Sequence, residues 1–127
     1  MNGNKILLDT NAVLYILGGD ETLASFLNGK ELYLSIISEL KLSSYKKITQ
    51  KELTAINTFL FELKIENISE EIKKKTIEIR KSTNLKLPDC IIAATSICLN
   101  IPLITSDKQL RTLFINLASI GHVYTVS

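Results

Sequence analysis

The sequence predicts an α/β fold with a mostly parallel central sheet, in a single domain over residues 1–127. Short apolar runs that suit buried strands alternate along the chain with longer segments that suit helices, and this alternation is typical of a parallel sheet covered by helices. No repeat, low-complexity tract or Gly- and Pro-rich linker divides the chain, and its length is sufficient to bury a core.

The first half of the chain is predicted to contain two strands and four helices. The strands are expected at 5–8 (KILL) and 31–35 (ELYLS), and the helices at 12–17, 21–27, 36–45 and 53–63. Gly18 and Gly19 end the first helix, and Asp20 is a favoured N-cap for the second. Thr49 and Glu52 form a T-x-x-E capping box ahead of the fourth.

The second half is predicted to contain three strands and three helices. The strands are expected at 64–68 (KIENI), 102–105 (PLIT) and 122–126 (HVYTV). Three helices are expected: one at 70–81, one that begins at the LPD segment (87–89) and ends at Leu99, and one at 108–114. Ser69 opens the first of these, Pro88 suits the first turn of the second, and Asn100 ends it.

Composition and charge narrow the class of protein. No apolar run approaches the length of a membrane span, and the first residues lack the apolar stretch of a signal peptide, so we expect a cytoplasmic protein without a membrane partner. The net charge is only +2, so no general basic character indicates nucleic acid. Two basic clusters do occur, and solvated helix faces are their simplest interpretation. They comprise Lys41, Lys46, Lys47 and Lys51, and Lys73, Lys74, Lys75, Arg80, Lys81 and Lys86.

The two cysteines are expected to be small, buried apolar residues. Cys90 and Cys98 lie on one predicted helix, roughly 12 Å apart at the helical rise, which exceeds the reach of a disulfide. Without a nearby histidine they also make a poor zinc site.

Four acids are predicted to meet at one edge of the sheet. Asp9 directly follows the first strand, and Asp107 follows the strand at 102–105 after one intervening serine, so both lie at the carboxyl edge, where open α/β folds place their sites. Glu39 lies in the first turn after the second strand. Asp89 begins a helix that leads into strand 102–105, and a right-handed crossover places the start of that helix at the same edge.

Each acid also has an ordinary structural explanation. Asp9 and Asp107 suit helix N-caps, whereas Glu39 and Asp89 suit the positive end of a helix dipole. Together, however, four carboxylates at one edge would repel and raise each other's pKa values. A hard divalent cation relieves that repulsion, and Mg²⁺ or Mn²⁺ is the expected ligand.

Small polar side chains adjoin two of the acids, at 10–11 and 105–106. Groups such as the Asn11 amide and the Thr105 hydroxyl can orient neighbouring carboxylates. They can equally satisfy backbone groups at the ends of strands.

Four motifs in order resemble the PIN-domain ribonucleases: KILLDTN, ISEL, LKLPDCIIAATS and LITSDKQL. The size of the chain and its LPDCIIAATS segment are most similar to the VapC-type toxins of bacterial toxin–antitoxin pairs. The resemblance covers essentially the whole chain. It implies a single PIN-like domain, a three-layer α/β/α sandwich with a mostly parallel central sheet. It also implies a Mg²⁺- or Mn²⁺-dependent endoribonuclease that acts on RNA, forms a homodimer and is inhibited by a cognate antitoxin protein.

The resemblance also implies the roles of individual residues. It gives a catalytic and metal-binding quartet of Asp9, Glu39, Asp89 and Asp107, supported by Asn11 and Thr105. Many members carry a further acid a few residues after the fourth, where this chain has Gln109 and Leu110. That departure would weaken a second metal position.

Two other functions share parts of this pattern. An aspartyl-nucleophile phosphatase also has an aspartate after the first strand, but that chemistry usually needs a second aspartate two positions on, where this chain has Asn11. A catalytically inert PIN-like module that binds RNA or protein would have the same fold. The intact quartet argues against the inert module, and a Mg²⁺-dependent cleavage assay separates the two.

Overall fold

The structure is a computed structural model and describes residues 4–117 and 123–125. The described residues form five strands: β1 (Lys5–Leu8), β2 (Glu31–Ser35), β3 (Lys64–Glu66), β4 (Leu103–Thr105) and β5 (Val123–Thr125). These strands make one sheet in the order β3-β2-β1-β4-β5, and every neighbouring pair is parallel. The predicted parallel sheet is therefore confirmed.

The described residues also form seven helices, which are α1 (Thr10–Leu17), α2 (Glu21–Leu27), α3 (Ile36–Ser43), α4 (Gln50–Phe61), α5 (Glu70–Ser82), α6 (Leu87–Leu99) and α7 (Lys108–Asn116). Every predicted helix is present, with small shifts at the ends. β3 is shorter than predicted because it ends at Glu66. Of the predicted last strand, His122 and Val126 lie outside the described residues. In the described part of the chain, no helix has the length and apolar character needed to cross a membrane.

The predicted capping residues are confirmed. The Asp20 carboxylate accepts the Leu23 N–H at 2.9 Å, and the Thr49–Glu52 capping box forms with both hydrogen bonds at 3.1 Å. Asn100 ends α6 in the left-handed conformation, with φ of 55°. Asn tolerates this conformation better than most residues that carry a Cβ.

The sheet is buried on both faces. Ile6 and Leu8 of β1 belong to one core, whereas Leu7 between them belongs to the other, as the two-residue repeat of a strand requires. The first core is completed mainly by α1, α2 and α4, and the second by α5, α6 and α7. A parallel sheet covered in this way is the predicted three-layer sandwich.

The order of the strands fixes where a site can form. The chain moves outward from β1 to β2 and β3, then returns through α5 and α6 to β4 on the other side of β1. β1 and β4 pair directly, and the Asp9 N–H donates to the Ile104 carbonyl at 2.9 Å. This reversal opens a crevice at the carboxyl ends of β1 and β4, the position at which open α/β sheets bind ligands.

Candidate active site

A single buried hydroxyl connects the carboxyl ends of the two central strands. Thr105, the last residue of β4, donates its hydroxyl hydrogen to Asp9 Oδ2 at 2.6 Å. The same hydroxyl oxygen accepts the Asp107 backbone N–H at 3.0 Å. Asp9 is only 5% exposed and Thr105 is fully buried, so water does not replace these bonds freely. Thr105 therefore fixes the Asp9 carboxylate and the start of the Asp107 segment together.

Asp9 and Asp107 also cap the helices that follow them. Asp9 Oδ1 accepts the Thr10 N–H at 2.7 Å. Asp107 Oδ1 accepts the Gln109 and Leu110 N–H groups at 2.8 and 3.1 Å. The N-cap interpretation is thus confirmed for both acids, and it coexists with their convergence at the crevice. A carboxylate has about four acceptor positions, so each retains capacity to bind a ligand.

Asp89 lies in the first turn of α6 and is electrostatically coupled to both of these acids. Burial raises the pKa of the Asp89 carboxyl above its ordinary value, and the negative charges of Asp107 and Asp9 raise it further. Lys41 and Lys86 act in the opposite direction. The structure thus brings Asp9, Asp89 and Asp107 into one electrostatic environment at the crevice.

Glu39 lies at the same edge but is less closely associated with the others. It is half-buried in the first turn of α3, which begins directly after β2. β2 is the strand beside β1 on the side away from β4, so Glu39 approaches the crevice from its far side.

The supporting residues link the elements around the crevice. The Asn11 amide donates to the Ser106 hydroxyl at 3.4 Å, which connects the segment after β1 to the segment after β4. The Thr10 hydroxyl donates to the Ser38 hydroxyl at 3.0 Å, which connects α1 to α3. Ser38 is fully buried and was missed by the sequence reasoning. The only feature of the sequence that pointed to Ser38 was its position directly before Glu39.

The donor set suits a hard divalent cation, because carboxylate oxygens are the ligands that Mg²⁺ and Mn²⁺ prefer. Asp89 is partly buried beside the negative charges of Asp107 and Asp9, and a bound cation would offset the repulsion among these carboxylates. Within residues 4–117 and 123–125, however, no three His, Cys, Asp or Glu side chains stand ready as a complete metal site. The fold therefore assembles the carboxylates at one edge without closing them into a cage.

The two basic clusters differ in their surroundings. Lys73 and Lys75 form ion pairs with glutamates of their own helix, at 3.8 and 3.2 Å, as expected for a solvated helix face. Lys41 of the first cluster and Lys86 of the second instead act electrostatically on Asp89. Among the described residues, no member of that first cluster forms an ion pair.

The cysteines do not provide a nucleophile. Both are free; Cys90 is buried as predicted, whereas the prediction that Cys98 is buried was wrong, since it lies partly exposed on α6. Burial raises the pKa of both thiols, so thiolate formation is disfavoured.

The fold and the crevice define an α/β protein with an acidic centre at the carboxyl edge of a parallel sheet. The family model of the PIN domain matches residues 6–113, and this chain belongs to the PIN-domain family. The family comprises nucleases that generally use divalent metal ions. No curated protein matches the sequence.

Several solved structures resemble the chain over nearly its whole length. A chain of a toxin–antitoxin complex from Klebsiella pneumoniae is 25% identical, with a TM-score of 0.74 over 95% of this chain and 99% of that one. VapBC2 from Rickettsia felis, bound to a promoter DNA fragment, is 20% identical, with a TM-score of 0.76 over 95% and 98%. FitAcB from Neisseria gonorrhoeae is 21% identical, with a TM-score of 0.70 over 96% of each chain. The latter two similarities show the shared fold.

Proposed function

We propose that this chain is a metal-dependent endoribonuclease that hydrolyses RNA phosphodiester bonds as the toxin of a toxin–antitoxin pair. The main support is the meeting of Asp9, Asp89 and Asp107 at the crevice between β1 and β4 in a PIN domain. An acidic centre of this kind is unfavourable by itself and is suited to holding a cation against an anionic substrate.

Asp9, Glu39, Asp89 and Asp107 would hold one or two Mg²⁺ or Mn²⁺ ions, with Asn11 and Thr105 supporting them. A cation bound there lowers the pKa of a bound water and neutralises charge on the leaving oxygen. Thr105 keeps the Asp9 carboxylate in a fixed orientation through its 2.6 Å hydrogen bond.

One carboxylate of this quartet would accept the proton of the attacking water. A carboxylate can take this role when the cation does not engage both of its oxygens.

Lys41 and Lys86 flank Asp89 and would hold RNA phosphates beside the crevice. Contacts of this type position the backbone and carry little sequence information. The remainder of the first basic cluster, Lys46, Lys47 and Lys51, extends the positive surface.

A cognate antitoxin is the proposed protein partner, since the Klebsiella pneumoniae structure is a toxin–antitoxin complex. We also propose a homodimer, acting in the cytoplasm as one PIN-like domain. Leu14, Leu17 and Phe26 on α1 and α2 are 36%, 36% and 42% exposed, so these helices offer an apolar surface for an interface.

The test is cleavage of a labelled RNA with Mg²⁺, with Mn²⁺ and with EDTA. We expect cleavage only with a cation, and its loss in Asp9→Asn and Asp89→Asn at unchanged helix content. Asp20→Asn is the matched control, because Asp20 caps α2 away from the crevice and Asn is an equally good N-cap. Expression of the wild type without its partner should arrest growth, and Asp9→Asn should relieve that arrest.

An inert PIN-like binding module is the second candidate, because the described carboxylates do not stand ready as a metal site. RNA or partner binding that is unaffected by EDTA, together with no cleavage in either cation, would favour this alternative. Equal cleavage by the wild type and Asp89→Asn would contradict the proposed catalytic centre.

A further inference from the structure

A cavity of about 390 Å³ lies between the α5–α6 connection and α7, and Lys108 in its wall directly follows Asp107. Leu85 and Leu113 form its apolar floor and are 4% and 8% exposed. Asn84, Lys108 and Gln109 contribute its polar wall. The cavity is small even for a ligand pocket, which suits a single planar group rather than a helix or strand.

The hydroxyl groups around this cavity are already engaged in local structure. The Ser82 hydroxyl donates to the Glu78 carbonyl at 3.1 Å, and the Thr112 hydroxyl donates to the Lys108 carbonyl at 2.9 Å. By contrast, the side-chain amides of the three carboxamide residues that line the cavity, Asn84, Gln109 and Asn116, form no hydrogen bond within residues 4–117 and 123–125. Each is a donor and an acceptor that remains available to a ligand, and Asn84 and Gln109 are the two that lie nearest in the chain to Asp89 and Asp107.

The cavity is tied to the acidic centre through the backbone. The Gln109 N–H donates to Asp107 Oδ1 at 2.8 Å, so the residue that lines the cavity is held by the carboxylate at the crevice. On the other wall, Asn84 lies five residues before Asp89, on the segment that leads into α6. Both walls of the cavity thus lie within a few residues of an acid at the crevice, Asp107 for one wall and Asp89 for the other.

From these positions we infer that the cavity receives one unpaired nucleobase of the RNA adjoining the scissile phosphate, and that Asn84 and Gln109 read its edge. This inference rests on the proposed RNA-cleaving function. Sequence-specific proteins recognise RNA mainly through splayed-out single-stranded bases, hydrogen-bonded along their edges. A carboxamide can pair with a base edge through its donor and acceptor together, and Lys108 supplies a cation for an adjacent phosphate.

Binding in EDTA tests the inference apart from catalysis. Fluorescence anisotropy would measure the affinity of the wild type for four short single-stranded RNAs that differ only at one central base. The same panel would be measured with Gln109→Leu and Asn84→Leu, which lose the amide; leucine matches asparagine in size and is one heavy atom smaller than glutamine. Asn57→Leu is the matched control, since Asn57 is an exposed amide of α4 on the opposite face of the sheet.

We expect the wild type to prefer one base by roughly tenfold or more, as one good bidentate pair gives. Gln109→Leu or Asn84→Leu should abolish the preference, whereas Asn57→Leu should keep it. Circular dichroism would confirm that the variants fold.

Binding without preference, or an unchanged preference in both cavity variants, would overturn the inference whether or not RNA is cleaved. A different outcome is base-specific binding that the cavity variants lose, but no cleavage of RNA in Mg²⁺ or Mn²⁺. That outcome would support the assignment of the cavity and contradict the proposed nuclease activity. The two proposals can therefore fail separately.

Discussion

Replacing Thr105 with valine is the sharpest perturbation of the crevice. Valine has nearly the shape of threonine, so no cavity is expected, but it lacks the hydroxyl. The substitution removes the 2.6 Å bond to Asp9 Oδ2 and the 3.0 Å bond from the Asp107 N–H in one step.

The expected cost follows from the burial of the two partners. A hydrogen bond to a charged group contributes about 1.5–3 kcal/mol, and an ordinary one about 0.5–1.5 kcal/mol. Because Asp9 is only 5% exposed, water compensates its orphaned oxygen poorly. Asp107 is half-buried, so its freed N–H regains some hydration. We expect Thr105→Val to lower the free energy of unfolding by about 2–4 kcal/mol.

Urea denaturation followed by circular dichroism, in EDTA at neutral pH, measures this change. Thr95→Val is the matched control, because Thr95 is equally buried but its hydroxyl donates only to the Ile91 carbonyl of its own helix, at 2.7 Å. That control should lose less than about 1 kcal/mol. Thr105→Ser keeps the hydroxyl and should lose about 1 kcal/mol, the contribution of one buried methyl group.

A Thr105→Val loss no larger than that of Thr95→Val would refute the reasoning. It would mean that the Thr105 hydroxyl does not fix Asp9 and the Asp107 segment, and that the carboxylates at the crevice are held in some other way.

Three further predictions concern charge, metal and assembly. In EDTA, the free energy of unfolding of the wild type should fall relative to that of Asp89→Asn as pH rises from about 4. The reason is that the raised pKa of Asp89 lets the folded state keep a proton that the unfolded state releases. Parallel curves of unfolding free energy against pH, measured by urea denaturation, would contradict this prediction. Mg²⁺ at a hundredfold excess over Kd should restore roughly 2.7 kcal/mol. Asp107→Asn keeps an oxygen to cap α7, so it should have a higher melting temperature than the wild type in EDTA and a smaller rise in melting temperature on adding Mg²⁺. A lower melting temperature in EDTA together with the full rise in Mg²⁺ would count against a cation site shared by the acids. Light scattering should give the mass of a dimer that changes on adding the antitoxin, whereas an unchanging monomer would exclude the proposed assembly.

The alternation of strands and helices was predictable because each element carries its own local signal. Ile6, Leu7 and Leu8 are apolar in succession because β1 is buried on both faces, and T-x-x-E at Thr49 predicted a cap that forms with both of its hydrogen bonds. The order of the strands was not predictable, because it depends on which edges pair in three dimensions. The third strand was predicted too long because Ile68 suits a strand, whereas pairing with β2 ends at Glu66.

The convergence of the acids was predictable for a similar reason. Chain polarity alone places residues after parallel strands at one edge, and Asp9 and Asp107 follow adjacent strands. The contribution of Ser38 was hidden, because a serine inside an amphipathic segment gives no sign that its hydroxyl faces Thr10. Which of the acids has a raised pKa was equally hidden, because the rise at Asp89 comes first from burial of its carboxyl group, which the order of residues does not give.

The central claim is that the crevice between β1 and β4 holds a divalent cation. Anomalous X-ray diffraction from crystals soaked in Mn²⁺ locates such an ion directly. The account predicts an anomalous peak within coordination distance, about 2.0–2.3 Å, of carboxylate oxygens of Asp9, Asp89 and Asp107, and its loss in Asp89→Asn. Mn²⁺ peaks confined to other surfaces, or a crevice peak that is unchanged in Asp89→Asn, would contradict it.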